Sequence, residues 1–156
     1  MPRLVENILA EVPLFEGLDE TEFALLAGCA RNVRFTAGQQ LFRRGDSADV
    51  FYVIRHGSVA LETFVQSRGA VTIETLDSGE VIGWSWLFPP FRWHLDAKAL
   101  TLVRATVFDG ACLREKCDAD PVLGYRLMSR FAQVLIERLQ WTRLRLLDLY
   151  GDGRGS

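Results

Sequence analysis

From Asn32 the chain reads "NVRFTAGQQLFRRGDSADVFYVIRHGSVALETFV", a succession of short apolar runs, each cut by a glycine at Gly38, Gly45 or Gly57. Glycines at that frequency break helices, whereas apolar runs of a few residues between turn residues suit strands. "FYVIRHGSVALETFV" reads as two strands joined at His56-Gly57. "AVTIETLDSGEVIG" adds another, with Val71, Ile73 and Thr75 alternating with their neighbours before a turn at Ser78-Gly79. "LDAKALTLVRATVFDGACL" supplies a further strand pair. Several short strands at this spacing predict an antiparallel sandwich or barrel.

Helices flank this region. Leu4, Ile8, Leu9 and Val12 form one helical stripe. In "GLDETEFALLAGCA", Asp19 can cap a second short helix with Glu22 three residues on, leaving Phe23, Leu25 and Leu26 to face a core. A long helix follows Asp118 or Asp120 and Pro121, and Gly151 ends it. About 29 residues at 1.5 Å each make a rod of ~43 Å, longer than a small barrel needs for cover. Met128, Phe131, Leu135, Leu139, Thr142, Leu146 and Leu149 make one stripe, and Leu127, Val134, Trp141 and Leu144 another. One stripe can pack on the barrel and the other on a second copy, which predicts a homodimer through this helix; the alternative is a single broad core face.

The 156 residues suit one domain, with a helical part over 1–31, a β-barrel over 32–111 and the long helix over 118–150. Eighteen Lys plus Arg against 20 Asp plus Glu argue against a chain built mainly to neutralise a phosphate backbone. No apolar run reaches the roughly 18–20 residues that span a bilayer, so no membrane contact is expected. The acidic residues in "MPRLVENILAEVPLF" do not suit a signal peptide, which makes the cytoplasm the expected compartment. Cys29, Cys112 and Cys117 lack a CxxC pair and read as buried reduced thiols. With His56 and His94 as the only histidines, no metal site is expected. Neither a His/Glu ligand cluster nor a nucleophile–base pair is visible, so no catalytic residues are assigned and the chain is not read as an enzyme.

The stretches "PLFEGL", "FTAGQQLFRRGDSADVFYVIRHGSVAL", "LDSGEVIG" and "RLQWTRLRLLDLY" resemble the cyclic-nucleotide-binding domains of the bacterial cyclic-AMP receptor type, and Gly38, Gly45, Gly57, Gly79 and Gly83 sit at that family's spacing. The resemblance covers nearly the whole chain. It implies a mainly β fold: an antiparallel β-barrel jelly roll with short N-terminal helices and a long C-terminal helix. A ligand would sit in the barrel under a phosphate-binding cassette, lidded by the long helix. In transcription factors of this type that helix leads into a helix-turn-helix; here the sequence stops at Ser156, so direct DNA binding by this chain is not expected, and either the output falls to a dimer or another protein or the sequence is a piece of a longer one.

The family cassette runs Gly-Glu-(Leu/Ile)-small-Leu, then a loop, then Arg-(Ser/Thr)-Ala. Backbone N–H groups of a short helical turn point at the cyclic phosphate, the Arg pairs with its charge, and the Glu accepts from the ribose 2′-hydroxyl. In "EVIGWSWLFPPFRWHLDAKA", Gly83 keeps the first position, Trp84 replaces the Glu, Ser85, Trp86 and Leu87 complete the turn, and Pro89-Pro90 stop it. Trp93 falls at the Arg position and His94 at the Ser/Thr position. Thr142 matches a helix threonine that contacts the base in bacterial relatives, and Arg143 stands where its serine neighbour would be. Leu61, Ile73 and Ile82 are the apolar candidates for ligand contact. Each missing charge-assisted bond is worth roughly 1.5–3 kcal/mol, so cyclic AMP is not expected to bind through the usual contacts.

Arg92 lies one residue from the Arg position. A one-residue slip in a strand turns a side chain to the other face, and only a bulge or altered loop would bring it in. The tryptophans have three readings: filling the pocket, a stacking platform for another ligand, or packing against a partner. His94 could bind an anion when protonated or act as a switch near neutral pH; the alternative is a lone satisfied histidine. Arg126, Arg130, Arg138, Arg143 and Arg145 make the long helix basic and read best as solvating it; pairing with Glu137 and Asp148 or contact with an acidic partner are the alternatives. The function expected is a stand-alone regulatory sensor module. It would bind a nucleotide-like or other small ligand in an altered pocket, with no bound cofactor, and signal through the C-terminal helix to a dimer or protein partner. The alternative is a dimeric interaction scaffold whose pocket is filled by tryptophan.

Overall fold

Alternating apolar residues need two interiors here, because strand β3, Val50–His56, is buried along both faces over Phe51–Ile54. The computed structural model describes residues 13–155. A 3-10 turn at Pro13–Phe15 and helix α1, Glu20–Ala27, precede the strands. The strands are β1 Ala30–Phe35, β2 Gln40–Phe42, β3, β4 Val59–Val65, β5 Gly69–Leu76, β6 Val81–Ile82, β7 Asp96–Ala99 and β8 Val103–Asp109. Helices α2, Gly110–Ala119, and α3, Pro121–Gly155, follow. The strands form two four-stranded sheets, ordered β1-β8-β3-β6 and β2-β7-β4-β5, with antiparallel pairing throughout. This is the jelly roll expected from the sequence. The stripe Leu4, Ile8, Leu9 and Val12 lies outside the described residues.

Between the sheets, Tyr52, Ile54, Val59, Leu76, Ile82, Ala97, Ala99, Val103, Ala105 and Val107 form one core. The other face of β3 and β8 carries Phe51, Val53 and Phe108 into a second core, closed by Leu14, Phe15, Leu26, Leu113, Leu127 and Phe131 from the helices. The hairpin at His56-Gly57 is tight: Gly57 has φ +95°, and a Cβ there would collide with the Leu102 carbonyl.

Asp19 caps α1 as the sequence predicts: its side chain accepts from the Glu22 amide at 2.8 Å, and Glu22 accepts from the Asp19 amide at 3.1 Å. Glu22 is itself buried, and pairs at 2.6 Å with Arg126 of α3. Arg130 reaches the Leu14 carbonyl at 3.3 Å and Glu16 at 3.7 Å. Arg138 reaches the Val81 carbonyl and Glu74, each at 2.8 Å. These three arginines therefore tether α3 to the fold instead of solvating it.

Four further expectations are corrected. The segment starting at Gly110 forms its own helix, capped by the Asp109 side chain on the Cys112 amide, instead of extending the last strand. The long helix continues through Gly151 to Gly155. Its buried face is Leu123, Leu127 and Phe131 with Val134 packed beside them, drawing from both sequence stripes, because a four-residue step follows the contact with the sheet. Finally, Cys29 and Cys112 form a disulfide across 83 residues; only Cys117 stays a free thiol. The pairing of Ala30 with Phe108 and the bond from the Asp109 amide to the Cys29 carbonyl bring the start of α2 beside the start of β1. No local spacing could announce that contact. Burial, then Asp118 and Asp120, push the Cys117 thiol above its ordinary range.

A crosslink over a loop of this length restricts the unfolded chain and stabilises by about 2–4 kcal/mol. Cys112→Ser, or reduction, is expected to lower Tm by roughly 5–15 °C in a melting experiment, while leaving the far-ultraviolet spectrum unchanged.

Candidate functional site

Strand β6 pairs with β3 through Ile82 and Val81, then the chain turns at Gly83 with φ +98°. Trp84 precedes a 3-10 turn at Ser85–Leu87, closed by the Leu87 amide on the Trp84 carbonyl at 3.2 Å. After the cis Pro89-Pro90 bond, the segment zips onto residues 45–48. The Ala48 amide donates to Phe91, the Trp93 amide to Asp46 and the Gly45 amide to Trp93, at 2.7, 3.0 and 2.9 Å. Arg92 and Ser47 pair as an isolated bridge.

This zipper decides which side chain enters. Arg92 is exposed and donates to the Gly45 carbonyl at 2.8 Å, and His94 is exposed too. Trp93, between them, points inward and is 5% exposed. Its ring lies across Gly83: a Cβ on that glycine would sit 2.6 Å and 2.7 Å from two ring atoms. The indole stacks on Phe42 at 3.8 Å with 10° between planes, and Phe42 in turn stacks on Tyr52 at 6.4 Å. Burial raises the Tyr52 phenol above its ordinary range, with Arg31 opposing.

The other two tryptophans of the cassette, Trp84 and Trp86, belong to the helix contact. Trp84 is half-buried and meets Phe131 of α3 edge-on at 5.4 Å. Trp86 is fully buried, stacked on Phe51 at 5.2 Å and edge-on to Phe131 at 5.7 Å. Its carbonyl accepts from Arg114 at 2.5 Å, while its indole Nε1 is buried with no hydrogen-bond partner among the described residues. A side chain at Gly110 would begin 3.0 Å from the Trp86 ring.

Of the sequence candidates, the structure joins Gly83 to Trp93, and Ile82 and Leu61 pack in the inter-sheet core. Ser85 is half-buried in the turn. Ile73 and Thr142 are exposed and meet elsewhere, lining a cavity of about 250 Å³ with Glu74, Arg145 and Leu146. The Thr142 hydroxyl is engaged by the Arg138 carbonyl at 2.9 Å. Phe42 and Arg114 are site residues that sequence reasoning did not single out, and Arg138 is one it placed on the solvated face of the helix. Phe42 sits in the quoted run after Gly38, but its partner lies 51 positions on, beyond any local pattern. The cations beside the turn, Arg92 and Arg114, are both committed to backbone carbonyls. Among the described residues no group of His, Cys, Asp and Glu is placed to hold a metal ion.

Two sheets, a glycine-led turn and a long closing helix define a cyclic-nucleotide-binding fold. A family profile described as "Cyclic nucleotide-binding domain" matches residues 32–120, and this chain belongs to that family. It is 26% identical over 145 residues to the "CRP-like cAMP-activated global transcriptional regulator" of Mycobacterium tuberculosis, covering 93% of this chain and 63% of the regulator. The chain thus spans under two thirds of that relative. It is similar to the N-terminal domain of a transcriptional regulator from Streptomyces coelicolor A3(2), with TM-score 0.71, 26% identity and 86% and 94% of the two chains covered. A cyclic nucleotide-binding domain from Methylobacillus flagellatus shares the fold at TM-score 0.79 and 21% identity, with 94% and 82% covered.

Gly83→Ala forces a left-handed φ on alanine and drives its Cβ into the indole, so a loss of about 2–4 kcal/mol is expected in denaturant unfolding. In a Trp93→Leu background the same change should cost measurably less, since only the backbone strain remains. Arg138→Ala should cost about 1–3 kcal/mol and speed amide exchange in β6 and α3.

Proposed function

We propose that this domain is a non-catalytic regulatory module whose nucleotide pocket is occupied by its own Trp93, and whose output is a protein contact made by α3. The observation that carries the reading is the buried indole lying across Gly83, where the family's cassette would present backbone amides to a phosphate. A ligand at that point must first expel the ring. Re-exposing 150–250 Å² of aromatic surface costs about 4–6 kcal/mol at 25 cal/mol per Å², or roughly three to four decades of affinity. The guanidinium that would offset this cost is absent, with Arg92 turned outward.

The output surface is the far half of α3. From Leu139 to Asp148 every residue is exposed, including Trp141 at 60%, Leu144, Leu146 and Leu147. An apolar helix face of this extent suits a second copy of the chain, packed helix to helix. Among the described residues no helix is long and apolar enough to cross a membrane.

A small-ligand sensor is the second reading. The cavity of about 250 Å³ between β5 and α3 favours it, because ligand there would touch Thr142 and the helix directly.

Calorimetric titration with cyclic AMP and cyclic GMP tests the first reading. No binding heat is expected from the wild type. Trp93→Arg combined with Trp84→Glu, which rebuilds both anchors, should bind cyclic AMP. Micromolar binding by the wild type would overturn the occupied-pocket reading.

A further inference from the structure

The outer face of the β1-β8-β3 sheet changes character in steps along the strands. The first row, Ala30, Phe108 and Phe51, lies under the helices. The next, Asn32, Thr106 and Val53, is tied by the Thr106 hydroxyl donating to Asn32 at 3.2 Å. The third row sets Arg34 directly opposite Arg104, and Arg104 opposite His56. A register shift between Ile54 and His56 adds Arg55 to the same end of β3.

Like charges directly across a ladder repel, and sheets avoid them unless something compensates. Among the described residues no carboxylate pairs with these cations. Among the described residues the ion pairs are Arg126–Glu22, Arg130–Glu16 and Arg138–Glu74. In the turn after β5, Asp77 accepts from the Ser58 hydroxyl at 2.6 Å and Glu80 from the Asp77 amide at 3.1 Å, and neither is in an ion pair with these arginines. Arg55, His56 and Arg104 instead line a cavity of about 320 Å³, with Leu102 as its apolar wall.

We propose that Arg34, Arg55, His56 and Arg104 form an anion site, separate from the cassette, for the phosphoryl group of a small phosphorylated molecule. Strands about 4.8 Å apart hold the guanidinium groups within reach of one phosphoryl group, whose oxygens accept paired N–H bonds from arginine. The volume suits a small ligand. A bound dianion would supply the missing counter-charge. This inference does not depend on what occupies the cassette pocket.

Pyrophosphate titrated into the full chain at low ionic strength, followed by calorimetry, is the test. One site per chain is expected, with affinity falling at least about tenfold in Arg104→Gln and in Arg55→Gln. Arg68→Gln, in the exposed turn between β4 and β5, should bind as the wild type does. Ligand-free Arg104→Gln should melt no lower than the wild type, since it removes the opposed charges. Absence of binding to wild type, or binding that survives Arg104→Gln, would overturn the proposal. Loss in Trp93→Ala with no effect of Arg104→Gln would place the anion at the cassette. Binding of polyglutamate in place of pyrophosphate would overturn it in favour of an acidic protein partner.

Discussion

The face of Trp93 on Phe42, with Gly83 beneath, is the contact around which the rest of the candidate site is arranged. An indole can lie that close to backbone only where no Cβ intervenes, and Gly83 provides this with φ +98°. The same glycine would let a phosphate approach the turn. A residue suited to ligand approach here accommodates a side chain from the same domain. The zipper of residues 91–93 against 45–48 then fixes the choice between neighbours, Trp93 inward and Arg92 outward.

The second tryptophan pair couples that turn to the long helix. Trp84 and Trp86 both meet Phe131, and Phe131 also meets Phe51 from the central sheet. Three arginines spaced along α3 then hold it to the N-terminal helical segment and to β5 and β6. Beyond Arg138 the helix carries exposed apolar residues and no buried ones up to Asp148. Packing is thus concentrated before Arg138, and the side chains from Leu139 to Asp148 are exposed.

The strands were legible because their signals are local: glycine-bounded runs with period two, and a hairpin at His56-Gly57. The capping box at Asp19 and Glu22 was legible for the same reason. What the sequence concealed depends on contacts between distant residues. Cys29 and Cys112 meet only through the register of β1 and β8. Arg126, Arg130 and Arg138 look like a solvated basic face until α3 is laid on the fold. Helix α2 was hidden because "GACLREKCDA" follows a strand directly and Leu113 is its one large apolar residue. At the cassette, alignment of motifs placed Trp84 and Trp93 at the two anchor positions, but only the structure separates their surroundings: Trp84 against the helix, Trp93 over the turn.

Membership in the cyclic-nucleotide-binding family fixes the fold, while the ligand depends on a few side chains at one turn. Here those side chains are aromatic. The most direct test of an occupied pocket is an experimental structure of the protein crystallised with excess cyclic AMP. The account predicts the Trp93 ring still stacked on Phe42 across Gly83, with no nucleotide density at the turn. A nucleotide bound at Gly83, with the indole swung out and a cation on its phosphate, would contradict it.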